Sequence, residues 1–278
     1  MTAVVLFPGQ GVQRPGMGAA ELAAFPALAA EASAVLGYDV AELCRGADGR
    51  LSQTRHAQPA VYVVNALAHR MSGRVADIAL GHSLGEYNAL EAAGALTFSD
   101  GLALVAERAR ITATADGAMT AIQGLSEDEI RAIVSAHGLD VELANRNTPT
   151  QTVLAGSALD VATAERALLA AGALDVRRLR IEGAFHCRRM APAAAAFAPV
   201  VAATPFGTPR ISVVANRSAR PYEGPEIPGS LVAHLTEPVR WHESISWVLA
   251  NRADVRFHQP GESQVLMRML RQITGPIR

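Results

Sequence analysis

Near residue 80 a short apolar run, Val75-Ala76-Asp77-Ile78-Ala79-Leu80, leads straight into Gly81-His82-Ser83-Leu84-Gly85, with helical sequence following from Glu86 to Ala93. A buried strand that turns through glycines directly into a helix fits few architectures. The same order opens the chain. Ala3 to Phe7 is a short apolar run closed by Pro8-Gly9-Gln10-Gly11, and Ala- and Leu-rich helical sequence follows to about Leu36. Further helices are expected at Pro59–Met71, with Val61, Val64, Leu67 and Ala68 at helical spacing, and at Ser99–Thr114. Strand, turn and helix recurring in this order predict a parallel sheet with crossover helices.

From about Gly117 the rhythm changes. Met119–Ile122 reads as a strand, and Ser126-Glu127-Asp128-Glu129 as a helix start, the helix running to Gly138. Val141–Ala144 and Thr152–Ala155 read as strands joined across Asn147-Thr148-Pro149. Leu159–Ala171 reads as a helix and Val176–Ile181 as a strand. This βαββαβ order is ferredoxin-like. The chain is therefore expected to be α/β, with a large parallel-sheet domain at 1–116 and 183–278 and a small ferredoxin-like subdomain inserted at 117–182. The Ala-rich stretch 191–203 reads as a helix packed on the core.

Composition bounds the function. Half of the 278 residues are hydrophobic and 18% are charged, enough apolar material for a core and too much for a disordered chain. The net charge is -1, which argues against a broad nucleic-acid surface, and all 25 basic residues are arginine. Cys44 and Cys187 are too few for a disulfide framework. No run approaches the ~20 apolar residues of a membrane span, and the N-terminus lacks a basic leader region. A cytoplasmic protein is expected. No metal-ligand spacing and no Gly-rich nucleotide signature is present.

Gly81-His82-Ser83-Leu84-Gly85 matches G-x-S-x-G. A serine on a sharp strand-to-helix turn projects its hydroxyl from the sheet, and the helix behind it aims N–H groups where an oxyanion would form. The bland alternative is a Gly-flanked helix cap. A serine nucleophile needs a base, and there are eight histidines. His82 adjoins Ser83 and is poorly placed to reach back. His186, in Gly183-Ala184-Phe185-His186-Cys187, follows a predicted strand and could sit over the sheet. An ordinary esterase orders its triad Ser, Asp, His, and Asp254 with His258 would satisfy that order.

Taken with these, Phe7-Pro8-Gly9-Gln10-Gly11, Gly85-Glu86-Tyr87, Arg108, and Glu237-Pro238-Val239-Arg240-Trp241 give a sequence that resembles the malonyl-CoA:acyl-carrier-protein transacylases over essentially its whole length. The stretch Leu51-Ser52-Gln53-Thr54, Gln58-Pro59-Ala60, Asn65-Ala66-Leu67 resembles the discrete acyltransferases that serve polyketide synthases in trans. The fold this resemblance implies is a hydrolase-like α/β domain with an inserted ferredoxin-like subdomain.

The resemblance also implies roles. Ser83 would be the nucleophile and His186 its base, with the backbone N–H groups of Gln10 and Leu84 as the oxyanion hole. Arg108 would hold the malonyl carboxylate, its planar fork suiting two parallel hydrogen bonds; the alternative is a solvated arginine paired with Glu107. His82, Phe185 and Gln10 would line the substrate site, Phe185 in the manner of malonyl-selective relatives, and the backbone carbonyl of His234 would orient His186. Malonyl-CoA would be a substrate, with no bound cofactor and no metal. The partner would be an acyl carrier protein bearing phosphopantetheine, and the protein a monomer. Arg146, Arg188 and Arg189 are candidates for contacting the carrier or the CoA phosphates. Three positions depart from the family pattern: Ala109 and Thr112, where glycine and methionine are usual, and His234, where glutamine is usual. The Gly-Pro-Gly expected near the C-terminus reads Gln259-Pro260-Gly261. Two other functions stay open, an acyl hydrolase acting on carrier proteins and a non-catalytic docking subunit.

Overall fold

A computed structural model describes residues 1–275, so the end of the expected 183–278 segment lies outside the described residues. β1 (Thr2–Phe7) is followed by α1 (Ala19–Ala24), α2 (Pro26–Leu36), α3 (Val40–Arg45) and α4 (Thr54–Ser72). Next come β2 (Ile78–Gly81), α5 (Gly85–Ala92) and α6 (Phe98–Thr112). Then follow β3 (Ala118–Gln123), α7 (Glu127–Ala136), β4 (Val141–Thr148), β5 (Gln151–Gly156), α8 (Ala158–Ala170) and β6 (Asp175–Arg178). The chain continues through α9 (Ala191–Ala203), β7 (Ser212–Val214), α10 (Ile227–Ala233), α11 (Trp241–Asn251), β8 (Val255–His258) and α12 (Val265–Thr274).

The first sheet has the order β7-β2-β1-β8 with every pair parallel. Neighbouring residues of its strands serve opposite faces. Val5, Phe7 and Ala79 join a core with Val61, Leu67, Leu90 and Leu102, while Val4, Leu6, Ile78 and Leu80 join a second core with Trp241, Ile245, Leu266 and Leu270. Helices therefore cover both faces, which is why the strands read as unbroken apolar runs.

The second sheet is antiparallel, in the order β4-β5-β3-β6, and with α7 and α8 forms the ferredoxin-like unit. Ser126 and Glu129 cap α7 reciprocally, as the sequence S-E-D-E predicts. One face of this sheet packs on α7 and α8 through Ile122, Leu154, Ile130 and Leu168. The other face sends Met119, Val153 and Ala155 into the main core. The fold is the expected one: a hydrolase-like α/β domain with an inserted ferredoxin-like subdomain.

Several boundaries differ from expectation. β2 begins at Ile78, not Val75; Val75 is exposed, and the Asp77 carboxylate accepts the Ala3 N–H at 2.8 Å, turning the chain into the sheet. The first helical stretch is broken at Phe25-Pro26, where the proline starts a new helix. α4 begins at Thr54 and carries Pro59 inside it, forgoing one backbone bond on a buried face. β6 stops at Arg178, and Leu179 to Ile181 turn toward the cavity described below. Cys44 and Cys187 are buried and free.

Candidate active site

The carboxyl ends of β1 and β2 lie side by side, where an open parallel sheet presents its ligand crevice. The turn after β2 is very tight. A Cβ on Gly81 would lie 1.9 Å from the Gly85 carbonyl carbon, and one on Gly85 would lie 2.1 Å from the Phe7 carbonyl oxygen. Only glycine fits at either position. Ser83 between them has φ 51°, the left-handed region that a non-glycine residue adopts at a cost of about 1–3 kcal/mol. The turn is pinned from outside by Asn216, just beyond β7. Its Oδ1 accepts the Ser83 N–H at 2.9 Å and its Nδ2 donates to the Gly81 carbonyl at 2.7 Å.

His186 Nε2 lies 2.7 Å from Ser83 Oγ, and His186 Nδ1 lies 2.9 Å from the carbonyl oxygen of His234. A carbonyl accepts only, so Nδ1 carries the proton and Nε2 faces the serine with its lone pair. His186 also has a positive φ, 59°, and its own N–H donates to the Leu235 carbonyl at 3.1 Å. Burial, with the nearby His234 and Arg108, holds His186 well below the ordinary histidine range. It is therefore neutral near pH 7 and free to accept a proton.

These two side chains open onto a cavity of about 560 Å³ between the two sheets. Gln10, His82, Leu84, Arg108 and Phe185 line it from the large domain, and Met119, Asn145, Leu179 and Arg180 from the side of the small sheet. Among the described residues nothing accepts the backbone N–H of Gln10 or of Leu84. His82 Nε2 lies 2.8 Å from Asn147 Oδ1, and burial pushes His82 down to about 4, so this ring stays neutral.

Arg108 is 3% exposed. Its Nη1 donates to Gln58 Oε1 at 2.5 Å, and Gln58 Nε2 donates to Thr112 Oγ1 at 3.3 Å. The Tyr87 and Phe185 rings flank the guanidinium at 5.7 and 6.0 Å. Glu107, the alternative partner, pairs with Arg110 at 2.9 Å instead. Among the described residues no carboxylate pairs with Arg108, an expensive arrangement for a buried cation.

Other candidates fall elsewhere. Asp254 precedes β8 at the opposite end of the sheet from Ser83, and His258 lines a surface pocket with Met71 and Met267. The esterase-like assignment therefore fails on geometry. Arg188 pairs with Asp140 and Glu142, and Arg146 with Glu127 and Glu243. Arg189 is exposed, and none of the three lines the cavity. Besides Arg108, the arginines that do are Arg14, Arg177 and Arg180. Sequence reasoning also missed Asn216, Gln58 as the partner of Arg108, and the buried Glu86, whose Oε1 accepts from the Asn216 N–H at 2.9 Å and the Tyr222 hydroxyl at 2.8 Å.

The fold is that of an acyl-transfer enzyme family. The chain belongs to the acyl transferase domain family, whose sequence profile matches residues 4–272. It is 44% identical over 276 residues to the polyketide biosynthesis protein ThaF of Burkholderia thailandensis, covering 96% of this chain but only 24% of ThaF. It is 37% identical over 278 residues to the polyketide biosynthesis malonyl CoA-acyl carrier protein transacylase BaeC of Bacillus velezensis, covering 96% of this chain and 95% of BaeC. A crystal structure of malonyl CoA-acyl carrier protein transacylase from Burkholderia pseudomallei superposes with a TM-score of 0.94 at 41% identity, covering 100% of this chain and 99% of that one. Among the described residues no helix is long and apolar enough to cross a membrane, and no cluster of metal-ligating side chains occurs.

Proposed function

We propose that this chain moves a malonyl group from malonyl-CoA to the phosphopantetheine thiol of an acyl carrier protein, for polyketide biosynthesis. Arg108 carries the reading: a buried guanidinium without a carboxylate partner among the described residues lines the same cavity as the Ser83–His186 pair. A thioester bearing a free carboxylate satisfies both features at once.

The reaction runs in two halves. His186 Nε2 takes the Ser83 proton as Oγ attacks the thioester carbonyl carbon. The N–H groups of Gln10 and Leu84 stabilise the oxyanion, each such donor contributing about 3 kcal/mol. The C–S bond breaks, His186 returns the proton to the leaving CoA sulfur, and malonyl-Ser83 remains. The carrier thiol then gives its proton to His186 and attacks the ester, and Ser83 recovers the proton as it leaves. No metal and no bound cofactor enters either half. Phe185 beside Arg108 fills the space an α-methyl group would need, worth about 1–3 kcal/mol against methylmalonyl. The enzyme acts as a cytoplasmic monomer, residues 117–182 forming the small unit and the flanking segments the large one.

The test is to follow malonyl-, methylmalonyl- and acetyl-CoA separately with a phosphopantetheinylated carrier protein, measuring both loaded carrier and free acid. Malonyl-carrier as the main product supports the transferase. Free acid released from acyl-carrier protein, with no loading, would indicate the hydrolase instead.

A further inference from the structure

Directly behind the Ser83–His186 pair is a second histidine for which the reaction above has no use as a side chain. The His234 ring stacks on the His186 ring with centroids 4.5 Å apart and 29° between planes. His234 Nδ1 lies 3.0 Å from Glu86 Oε2, and both residues are nearly fully buried. Among the described residues His234 Nε2 has no partner. His234 Nδ1 faces the Glu86 carboxylate as an ion-pair contact, and among the described residues Glu86 Oε2 has no hydrogen-bond partner either. Burial alone would raise the Glu86 carboxyl. His234 and the hydrogen bonds from Asn216 and Tyr222 outweigh it and hold Glu86 below the usual carboxylate range, as an anion.

We propose that His234 and Glu86 are a positioning pair for His186, through which the general base responds to the charge of a second histidine. His234 holds His186 twice, its carbonyl at Nδ1 and its own ring against the face. When His186 takes the serine proton, a positive charge forms beside the His234 ring. A protonated His234 opposes that charge and Glu86 offsets the opposition. The proposal rests on the transferase reading, with His186 as base.

The other ionisable groups around this cluster are His82 before the turn, Tyr87 on α5, Arg108 on α6 and Tyr222 after β7. Replacing His234 leaves all of them in place. Unit charges 4.5 Å apart, at an effective dielectric near 20, shift a titration by roughly 2–3 pH units before Glu86 cancels most of the effect.

The experiment is the pH profile of kcat/KM for malonyl transfer in wild type, His234→Gln and His234→Ala. Glutamine keeps the backbone carbonyl and a polar side chain facing Glu86 but cannot be charged. Its acidic limb should move up by about half a pH unit or more, because neutral His186 is then easier to protonate. Alanine should show the same displacement and also lose about tenfold in kcat, since Glu86 loses its ion-pair contact and His186 the ring stacked on it. Loss of rate with an unmoved limb would mean a purely structural role and overturn the proposal. Histidine-selective ¹³C NMR of the wild-type protein gives a second readout that needs no variant. The pH response of the His186 resonance should depart from a single-site curve, and a simple single-site curve would also overturn the proposal. Wild-type protein that loads no carrier at any pH would instead refute the transferase reading, while the NMR titration still tests the pair.

Discussion

Replacing Arg108 by alanine should cost malonyl transfer far more than acetyl transfer. Arg108 is buried and gives Nη1 to Gln58, which leaves its other N–H groups for a ligand. A carboxylate about 4 Å from the guanidinium carbon, at an effective dielectric near 20, gains roughly 4 kcal/mol. Two charge-assisted hydrogen bonds at about 1.5–3 kcal/mol each give a similar total. Four kcal/mol corresponds to about 10³ in kcat/KM for malonyl-CoA. Acetyl-CoA has no carboxylate, so its kcat/KM should stay within about threefold. The Gln58 carbonyl loses its donor, an expense of about 1–3 kcal/mol that removal of an unpaired buried charge offsets, so Tm should change little. The assay is steady-state loading of carrier protein from each thioester, with Tm measured alongside. Equal losses for both substrates, or an unchanged malonyl rate, would refute the carboxylate role.

Phe185→Ser should raise methylmalonyl relative to malonyl loading by about 10- to 100-fold, measured by competition between the two thioesters. Gly85→Ala should leave little folded protein, because the new Cβ would meet the backbone oxygen of Phe7 at 2.1 Å; a well-folded variant by circular dichroism would show that the turn relaxes. Stability should fall on acidification. His82 is held near 4 in the folded protein against an ordinary value of 6.5, so its contribution is complete above pH 6.5 and is lost as pH falls toward 4. Over that window the loss is about 3 kcal/mol for His82, read as Tm against pH, and His82→Asn should flatten the slope.

The residues with a local signature were legible in the sequence. The apolar runs before Pro8 and before Gly81 marked β1 and β2, and the capping pattern at Ser126 marked α7. The final hundred residues were poorly legible: β7 and β8 have three and four residues, too few to show a period, and nothing local marks them as members of the first sheet. The site divides in the same way. Ser83 is written in its own pentapeptide. Asn216, which pins the turn, is 133 residues away from it, and Glu86 meets Asn216 and Tyr222 across 130 and 136 residues. Their partnerships exist only after β7 has docked beside β2. Arg146 and Arg188 were attractive as free cations until tertiary packing gave them carboxylates. The family resemblance directed attention to the backbone of His234, and a backbone role is silent about what the side chain touches.

The central claim is that Ser83 carries the acyl group between two thiols. Intact mass spectrometry after brief exposure to malonyl-CoA tests it most directly. Wild-type protein should gain one malonyl group, Ser83→Ala should gain none, and adding carrier protein should return the enzyme to its starting mass while the carrier gains the malonyl. An adduct that persists in Ser83→Ala, or one that never passes to the carrier, would contradict the account.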